Sequence, residues 1–148
     1  MVYKLITGRK AALPDAETKR PSSDRRWKTY RAGKREAGLM NRTETEFANT
    51  VLTAWLEAGL IWESWYEPFS MRLTAKTPEG KPGIRYTPDF GVQLASLEWV
   101  LYEVKGTGMA TNEALNRVKL VADKYRFRIF VARKQTKKNG GGFTFEQY

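Results

Sequence analysis

The fold of this 148-residue chain is decided by the stretch Trp99-Val100-Leu101-Tyr102-Glu103-Val104-Lys105-Gly106. Its apolar beginning predicts a β-strand that ends at the charged residues. Because side chains alternate across a strand, Glu103 and Lys105 are expected on one face and Val104 on the other. A carboxylate and an ammonium group then share one face at the end of a strand.

A second carboxylate is expected one strand away, in Thr87-Pro88-Asp89-Phe90. Asp89 and Glu103 are hard oxygen ligands suited to Mg²⁺ or Mn²⁺. Hydrolysis of a phosphodiester needs an attacking water and neutralisation of charge on the phosphate oxygens, which such a set provides. Two structural interpretations stand beside this one. Asp89 after Pro88 is a common turn pairing, and Glu103 with Lys105 also fits an ion pair on a solvated face.

A helix is predicted to begin at Asn41, a good N-cap, with Glu44 three residues later as in a capping box. Apolar residues then recur at helical spacing until Gly59, a natural stop. This phase places Glu44 on the face that turns toward the body and Glu46 on the polar face. Glu44 is therefore the candidate for the site, although an acid in a first turn is also favoured by the helix dipole.

These segments resemble, in this order, the PD-(D/E)xK nuclease superfamily. The matching motifs are Pro88-Asp89 followed by Glu103-Val104-Lys105, and Met40-Asn41-Arg42-Thr43-Glu44 resembles the segment that supplies the leading glutamate. The order is similar to that of small phage-encoded endonucleases described as Holliday-junction-resolvase-like, which act in DNA recombination. The resemblance covers roughly residues 40 to 146.

The resemblance implies a Mg²⁺-dependent endonuclease with Glu44, Asp89, Glu103 and Lys105 as catalytic residues. It further implies that Asp89, Glu103, Glu44 and the backbone carbonyl of Val104 hold the metal. The expected substrate is DNA, with branched or junction DNA favoured by resemblance alone. Cutting both strands of a junction favours a homodimer, and a phage enzyme is expected in the cytoplasm of its host.

Composition narrows the chemistry further. The chain has no cysteine and no histidine, which excludes disulfides, thiolate metal sites, serine triads and zinc hydrolases that depend on histidine. No apolar run approaches the roughly 20 residues of a membrane span, and the first residues do not resemble a secretory signal. We therefore expect no membrane partner.

Beyond the motifs, strands are predicted near 61–67, 69–75, 86–92, 98–105, 128–134 and 143–146, with a helix over 111–125 between the fourth and fifth. Strand, helix, strand requires a crossover, and hence a mixed sheet with a parallel pair. We therefore predict an α/β fold in which flanking helices cover a mixed sheet. This longer series of elements contains the order α-β-β-β-α-β, which is the restriction-endonuclease-like core implied by the resemblance. Gly140-Gly141-Gly142 is interpreted as a turn and not as a phosphate-binding loop, because no helix with Lys-Ser/Thr follows it.

The net charge of +10 is unevenly placed. Residues 1–42 hold twelve Lys/Arg and four Asp/Glu, whereas residues 43–148 hold fourteen and twelve. Residues 1–40 are predicted to be a basic, extended or partly disordered arm that precedes a domain over 41–148. Cations and aromatic residues interleave within the arm, which favours DNA binding by phosphate contacts and stacking. The residues predicted to contact DNA are Arg25, Arg26, Trp27, Lys28, Tyr30 and Arg31.

Two other functions remain open on the sequence. One is a non-catalytic DNA-binding module that uses the same fold, although intact Asp89, Glu103 and Lys105 speak against it. The other is a basic nucleoprotein adaptor that depends on residues 1–42. For the arm itself, the alternative is a tail whose aromatic residues dock on the domain.

Overall fold

The computed structural model describes residues 38–108 and 111–148. Three helical segments follow one another without a break from Arg42 to Glu57 and are called here the first helical path. The longest helix comes directly before the sixth strand. The helical elements are α1 (Arg42–Phe47), a π-helical turn (Ala48–Leu52), α2 (Thr53–Glu57), α3 (Asn112–Tyr125) and a 3-10 turn (Lys137–Asn139). The strands are β1 (Ile61–Tyr66), β2 (Met71–Arg72), β3 (Arg85–Tyr86), β4 (Phe90–Leu94), β5 (Trp99–Lys105), β6 (Arg128–Lys134) and β7 (Phe143–Gln147).

The main sheet has five strands in the order β1-β4-β5-β6-β7, and β2 pairs with β3 in a separate hairpin. β5 and β6 are parallel, while the other neighbours in the main sheet are antiparallel. A parallel pair needs a crossover, which α3 supplies. The fold is therefore α/β with a mixed sheet and flanking helices, as predicted.

Two predicted strands differ from the observed ones. The strand expected over 69–75 is reduced to Met71–Arg72. Beyond it the ladder is irregular, because the N–H groups of Leu73 and Thr74 share the Ile84 carbonyl while the Ile84 N–H donates to the Thr74 side chain (2.8 Å). The strand expected over 86–92 is divided into the end of β3 and the start of β4. Pro88 lies at this break, and proline has no N–H to donate to a ladder.

The first helix also departs from the prediction, which had a regular helix up to Gly59. The N–H and the hydroxyl of Thr53 both donate to the carbonyl of Ala48, five residues earlier. This is the bonding of a π-helical turn, which shifts the phase of the residues that follow. The spacing of apolar residues does not reveal such a shift, because the residues before the π-helical turn and those after it both fit a helical spacing.

Alternating residues of the sheet build two cores, one on each face. Phe47, Ala48 and Leu52 from the first helical path pack on one face with Tyr102 and Val104. Val118 and Val121 of α3 pack on the other face with Leu101, Ile129 and Val131, and the β2–β3 hairpin adds Met71, Leu73 and Tyr86. Burial of both faces explains the near-continuous apolar run that begins β5.

The predicted arm lies outside the described residues apart from 38–40, and so do all six arm residues expected to contact DNA. Met40, at the end of that predicted arm, is 2% exposed and belongs to the core with Phe47. The packed domain thus reaches at least one residue further toward the N-terminus than the prediction. No helix among the described residues is both long and apolar enough to cross a membrane.

Phe47 is the central aromatic residue of the first core. Its side chain is completely buried, and ring centroids of five other aromatic residues lie 5.2 to 6.4 Å away. Replacement by alanine removes these contacts and leaves a cavity. We expect Phe47→Ala to lower the free energy of unfolding by about 3–5 kcal/mol, measured by urea denaturation. Phe47→Leu retains most of the apolar volume and should cost clearly less; equal losses would contradict this account of the core.

Candidate functional site

Glu103 and Lys105 lie on one face at the carboxyl end of β5, as the alternation predicted. Lys105 Nζ is 2.5 Å from Glu103 Oε1, which makes an ion pair and a hydrogen bond. Glu103 is nevertheless 8% exposed, so this is not an ion pair on a solvated face. Exposed pairs contribute little to stability, whereas a buried carboxylate costs free energy unless its oxygens are hydrogen-bonded.

Asp89 immediately precedes β4 and is also 8% exposed. The antiparallel ladder pairs Phe90 with Tyr102, so one step further along both strands Asp89 faces Glu103. Asp89 Oδ2 accepts a hydrogen bond of 2.7 Å from the N–H of Val104. The structure thus brings the two predicted carboxylates to the same end of the sheet.

The electrostatics of Asp89 reflect this proximity. Burial and the charge of Glu103 raise the pKa of the Asp89 carboxyl well above its usual range, with a smaller contribution from Glu44. The Val104 N–H and the Lys105 ammonium act in the opposite direction, but they do not outweigh burial. Two buried carboxyl groups that cannot comfortably both be charged are an arrangement that a cation would stabilise.

The backbone of Val104 is oriented by the same contact. In a strand, the N–H and C=O of one residue point to the same side. Since the Val104 N–H points to Asp89, its carbonyl lies on the Asp89 side of β5 and not toward β6. The described ladder between β4 and β5 ends at Phe90 and Tyr102, so no β4 residue pairs with Val104 there.

Tyr86 is a site residue that the sequence did not reveal. Its hydroxyl donates a 2.8 Å hydrogen bond to Glu103 Oε2, and the side chain is buried. Burial and the charge of Glu103 raise the pKa of the Tyr86 hydroxyl, which therefore stays protonated as a donor. Both oxygens of Glu103 are thereby held, one by Tyr86 and the other by Lys105.

Glu44 is 4% exposed and completes a capping box with Asn41. The Asn41 N–H donates to Glu44 Oε2 (2.8 Å) and the Asn41 amide donates to Oε1 (2.6 Å). The Tyr66 hydroxyl lies 2.9 Å from Glu44 Oε2 and 3.1 Å from the Leu39 carbonyl. Glu44 thus has the structural role that the sequence left open, and its charge also reaches Asp89.

Glu46 has a different environment from that of Glu44. It is half-buried and forms an ion pair with Lys134 at the end of β6. The helical phase predicted this difference between the two glutamates. Of the two, Glu44 is the one that is turned into the body and acts on Asp89.

The donor set fits a hard divalent cation in its chemistry. Within residues 38–108 and 111–148, no three acidic side chains come together as a group that could hold a metal ion. Asp89 and Glu103 provide two carboxylates, and the Val104 carbonyl lies on the Asp89 side of β5. Two carboxylates with a carbonyl suit Mg²⁺, which retains several waters and needs few protein ligands.

Comparison of this chain with protein-family models, with curated proteins and with solved structures gives no match. Any function is therefore inferred from the residues of the site and from their contacts.

The raised pKa of Asp89 has a consequence for stability in the absence of metal. Since the folded state holds the proton more tightly than the unfolded state, stability falls as pH rises from the ordinary carboxyl pKa, about 3.9, through the raised value. An asparagine side chain at this position would not titrate, and its amide oxygen can still accept from the Val104 N–H. We expect Asp89→Asn to raise the Tm in chelator at neutral pH, and to raise it less near pH 4. A Tm that is unchanged or lowered at neutral pH would show that the Asp89 charge does not oppose folding.

Proposed function

We propose that this chain is a metal-dependent endonuclease that hydrolyses phosphodiester bonds of DNA, with a PD-(D/E)xK site on a restriction-endonuclease-like sheet. The observation that carries the proposal is the convergence of Asp89, Glu103 and Lys105 at one sheet end. Asp89 directly precedes β4 and the other two residues lie in β5, and the hydrogen bond from the Val104 N–H to Asp89 joins the two segments. Isolated turn or surface roles do not account for two facing buried carboxylates.

The residues that would hold Mg²⁺ or Mn²⁺ are Asp89, Glu103 and the carbonyl of Val104, with Glu44 supplying further negative charge. When bound, the metal would neutralise charge on the phosphate oxygens and lower the pKa of water. The fit rests on the two buried carboxyl groups of Asp89 and Glu103 at one end of the sheet; burial, and after it the charge of Glu103, raises the pKa of Asp89. Tyr86 would hold Glu103 in place during the reaction, because its hydroxyl already occupies the opposite oxygen from Lys105.

Lys105 is proposed to position the attacking water and to stabilise the negative charge that develops on phosphorus-bound oxygens. Glu103 holds the ammonium group by a direct hydrogen bond, which restricts its flexible side chain. Water adds to phosphorus and the bond from phosphorus to the 3′ oxygen breaks, leaving a 5′-phosphate and a 3′-hydroxyl. The proton of the water passes to solvent or to a neighbouring base, and the 3′ oxygen takes up a proton.

The charge distribution supports a polyanionic substrate. Most of the excess of cations lies in residues 1–42, and basic stretches bind nucleic acid through phosphate contacts and counterion release. Branched DNA as the substrate, action as a homodimer and a phage setting in a host cytoplasm are parts of this proposal that rest on the resemblance.

The decisive test compares purified variants on linear, nicked, flapped and four-way DNA with Mg²⁺. Glu103→Gln should abolish cleavage, because it removes a metal ligand while retaining a group that Tyr86 can bind. Lys105→Met should slow single-turnover cleavage at saturating Mg²⁺ by about a hundredfold or more. Glu98→Gln is the matched control at the opposite end of β5. It breaks an ion pair with Arg128, and it should leave cleavage unchanged.

Cleavage by Glu103→Gln at the wild-type rate would exclude the proposed site. Binding of DNA by wild-type protein, with no cleavage in Mg²⁺ or Mn²⁺, would favour the non-catalytic DNA-binding module instead. Absence of both binding and cleavage would exclude the DNA proposal as a whole.

The two glutamates of the first helix give a matched comparison. Glu44→Gln keeps a residue that is compatible with a capping box but removes the charge near Asp89. Glu46→Gln removes an ion pair that contributes at most about 1 kcal/mol. Glu44→Gln should lower the Tm more than Glu46→Gln, because its amide offers one acceptor oxygen where the buried carboxylate offers two. At a temperature where both variants are folded, we expect cleavage slowed about tenfold or more by Glu44→Gln and little by Glu46→Gln. Equal rates for the two variants would limit Glu44 to its capping role.

A further inference from the structure

The turn between β6 and β7 carries two lysines at the same end of the sheet as the site. Because β5 and β6 are parallel and Lys105 pairs with Arg133, the carboxyl ends of these two strands lie level. Neighbouring strands are about 4.8 Å apart, and the turn begins directly after Lys134. Lys137 and Lys138 therefore lie at the end of the sheet that the carboxyl ends of β5 and β6 share.

The backbone of this turn is closely defined by hydrogen bonds. Gln135 N–H donates to the Gly142 carbonyl (2.9 Å), and the N–H groups of Asn139 and Gly141 both donate to the Thr136 carbonyl (2.9 Å each). Gly140, Gly141 and Gly142 have φ values of 91°, 66° and 71°. Three consecutive residues in this left-handed region explain the glycines, since other residues would be strained there. The two lysines thus lie on a turn whose backbone conformation is fixed by hydrogen bonds.

Most of the cationic side chains at this end of the sheet form ion pairs, whereas the two lysines of the turn do not. Lys105 pairs with Glu103, Arg133 with Glu146, and Lys134 with Glu46. Lys137 and Lys138 are exposed, and no acidic residue among 38–108 and 111–148 pairs with either. Two adjacent ammonium groups without an acidic partner favour an external anion.

We infer that Lys137 and Lys138 bind backbone phosphates of the nucleic acid that the site acts on, beside the phosphate to be cleaved. The inference rests on the proposed function for its ligand. The contact uses the lysine side chains, not a cradle of backbone N–H groups, and so it is independent of base sequence. It places part of the DNA surface on the described domain, in addition to the predicted arm.

Salt dependence of binding tests the inference directly. In chelator, where no cleavage occurs, fluorescence anisotropy of labelled duplex gives affinity over a series of salt concentrations. Each lost phosphate contact should reduce the slope of log affinity against log salt by about 0.9. Lys137→Gln with Lys138→Gln should therefore lower the slope by about 0.9 to 1.8, whereas Lys137→Arg with Lys138→Arg should preserve it.

The matched control is Lys76→Gln with Lys81→Gln, which removes the same charge. These exposed lysines flank another hydrogen-bonded turn, in which Thr77 N–H donates to the Lys81 carbonyl. This pair should leave the slope unchanged. An equal fall for both pairs would indicate a general effect of net charge and overturn the inference, as would an unchanged slope for Lys137 and Lys138.

The result is separable from the proposed function. If wild-type protein cleaves DNA but the Lys137 and Lys138 variant keeps the wild-type slope, only the inference about the turn fails. If the slope falls as expected but Mg²⁺ and Mn²⁺ give no cleavage, the turn binds DNA and the endonuclease proposal fails. If wild-type protein does not bind DNA, both fail.

Discussion

The hydrogen bond from the Val104 N–H to Asp89 Oδ2, 2.7 Å long, organises the end of the sheet. It extends the contact between β4 and β5 beyond their last backbone pair by substituting a side chain for a strand residue. It also directs the Val104 carbonyl to the same side and sets Asp89 opposite Glu103. This one contact thus orients a backbone acceptor and the Asp89 carboxylate, while Tyr86 and Lys105 hold the facing Glu103 carboxylate; a functional site requires such order.

The buried carboxyl groups at this end of the sheet lower the stability of the folded state, and apolar packing elsewhere offsets that cost. Buried carboxyl groups lose hydration, and the hydrogen bonds they receive recover part of that loss. The two cores lie directly behind the site: Val104 belongs to one and Tyr86 belongs to the other. Tyr86 combines both effects, because its ring is buried in the apolar cluster while its hydroxyl binds Glu103. The site is consequently held by side chains whose positions the cores already determine.

Much of the fold can be predicted from the spacing of apolar residues and from the helix-capping residues. The apolar run that ends at Glu103 and Lys105, the cap at Asn41 and the helix over 111–125 are all strong local signals. The positions of Asp89 and Glu103 could be predicted because strand alternation and chain order limit where these side chains lie. The role of Glu44 could be predicted only as two alternatives, since capping and proximity to Asp89 use the same carboxylate.

Other features depend on contacts between distant segments. Tyr86 looks like an ordinary core residue of a strand, and nothing near it in sequence indicates that its hydroxyl reaches a residue 17 positions away. The division of the strand over 86–92 and the π-helical turn arise from particular side-chain hydrogen bonds and from Pro88, against an apolar pattern that continues through both. Local pattern therefore predicts which elements form, but not how they are interrupted.

The topology of the sheet also explains why the charged groups collect at this end. At the carboxyl ends of a parallel pair, the chain leaves the core and its backbone and side chains become accessible, which is why open α/β sheets tend to bind ligands at this edge. Here the parallel pair β5–β6 brings together Lys105, the chain after it and the β6–β7 turn, while α1 meets the edge through the pair of Glu46 with Lys134. Thr43 Oγ1 lies 4.0 Å from the position that a Cβ on Gly106 would occupy, so the first turn of α1 approaches the chain just after β5. Three separate elements thus border one edge: β5 and α1 carry the sequence motifs, and the β6–β7 turn carries none.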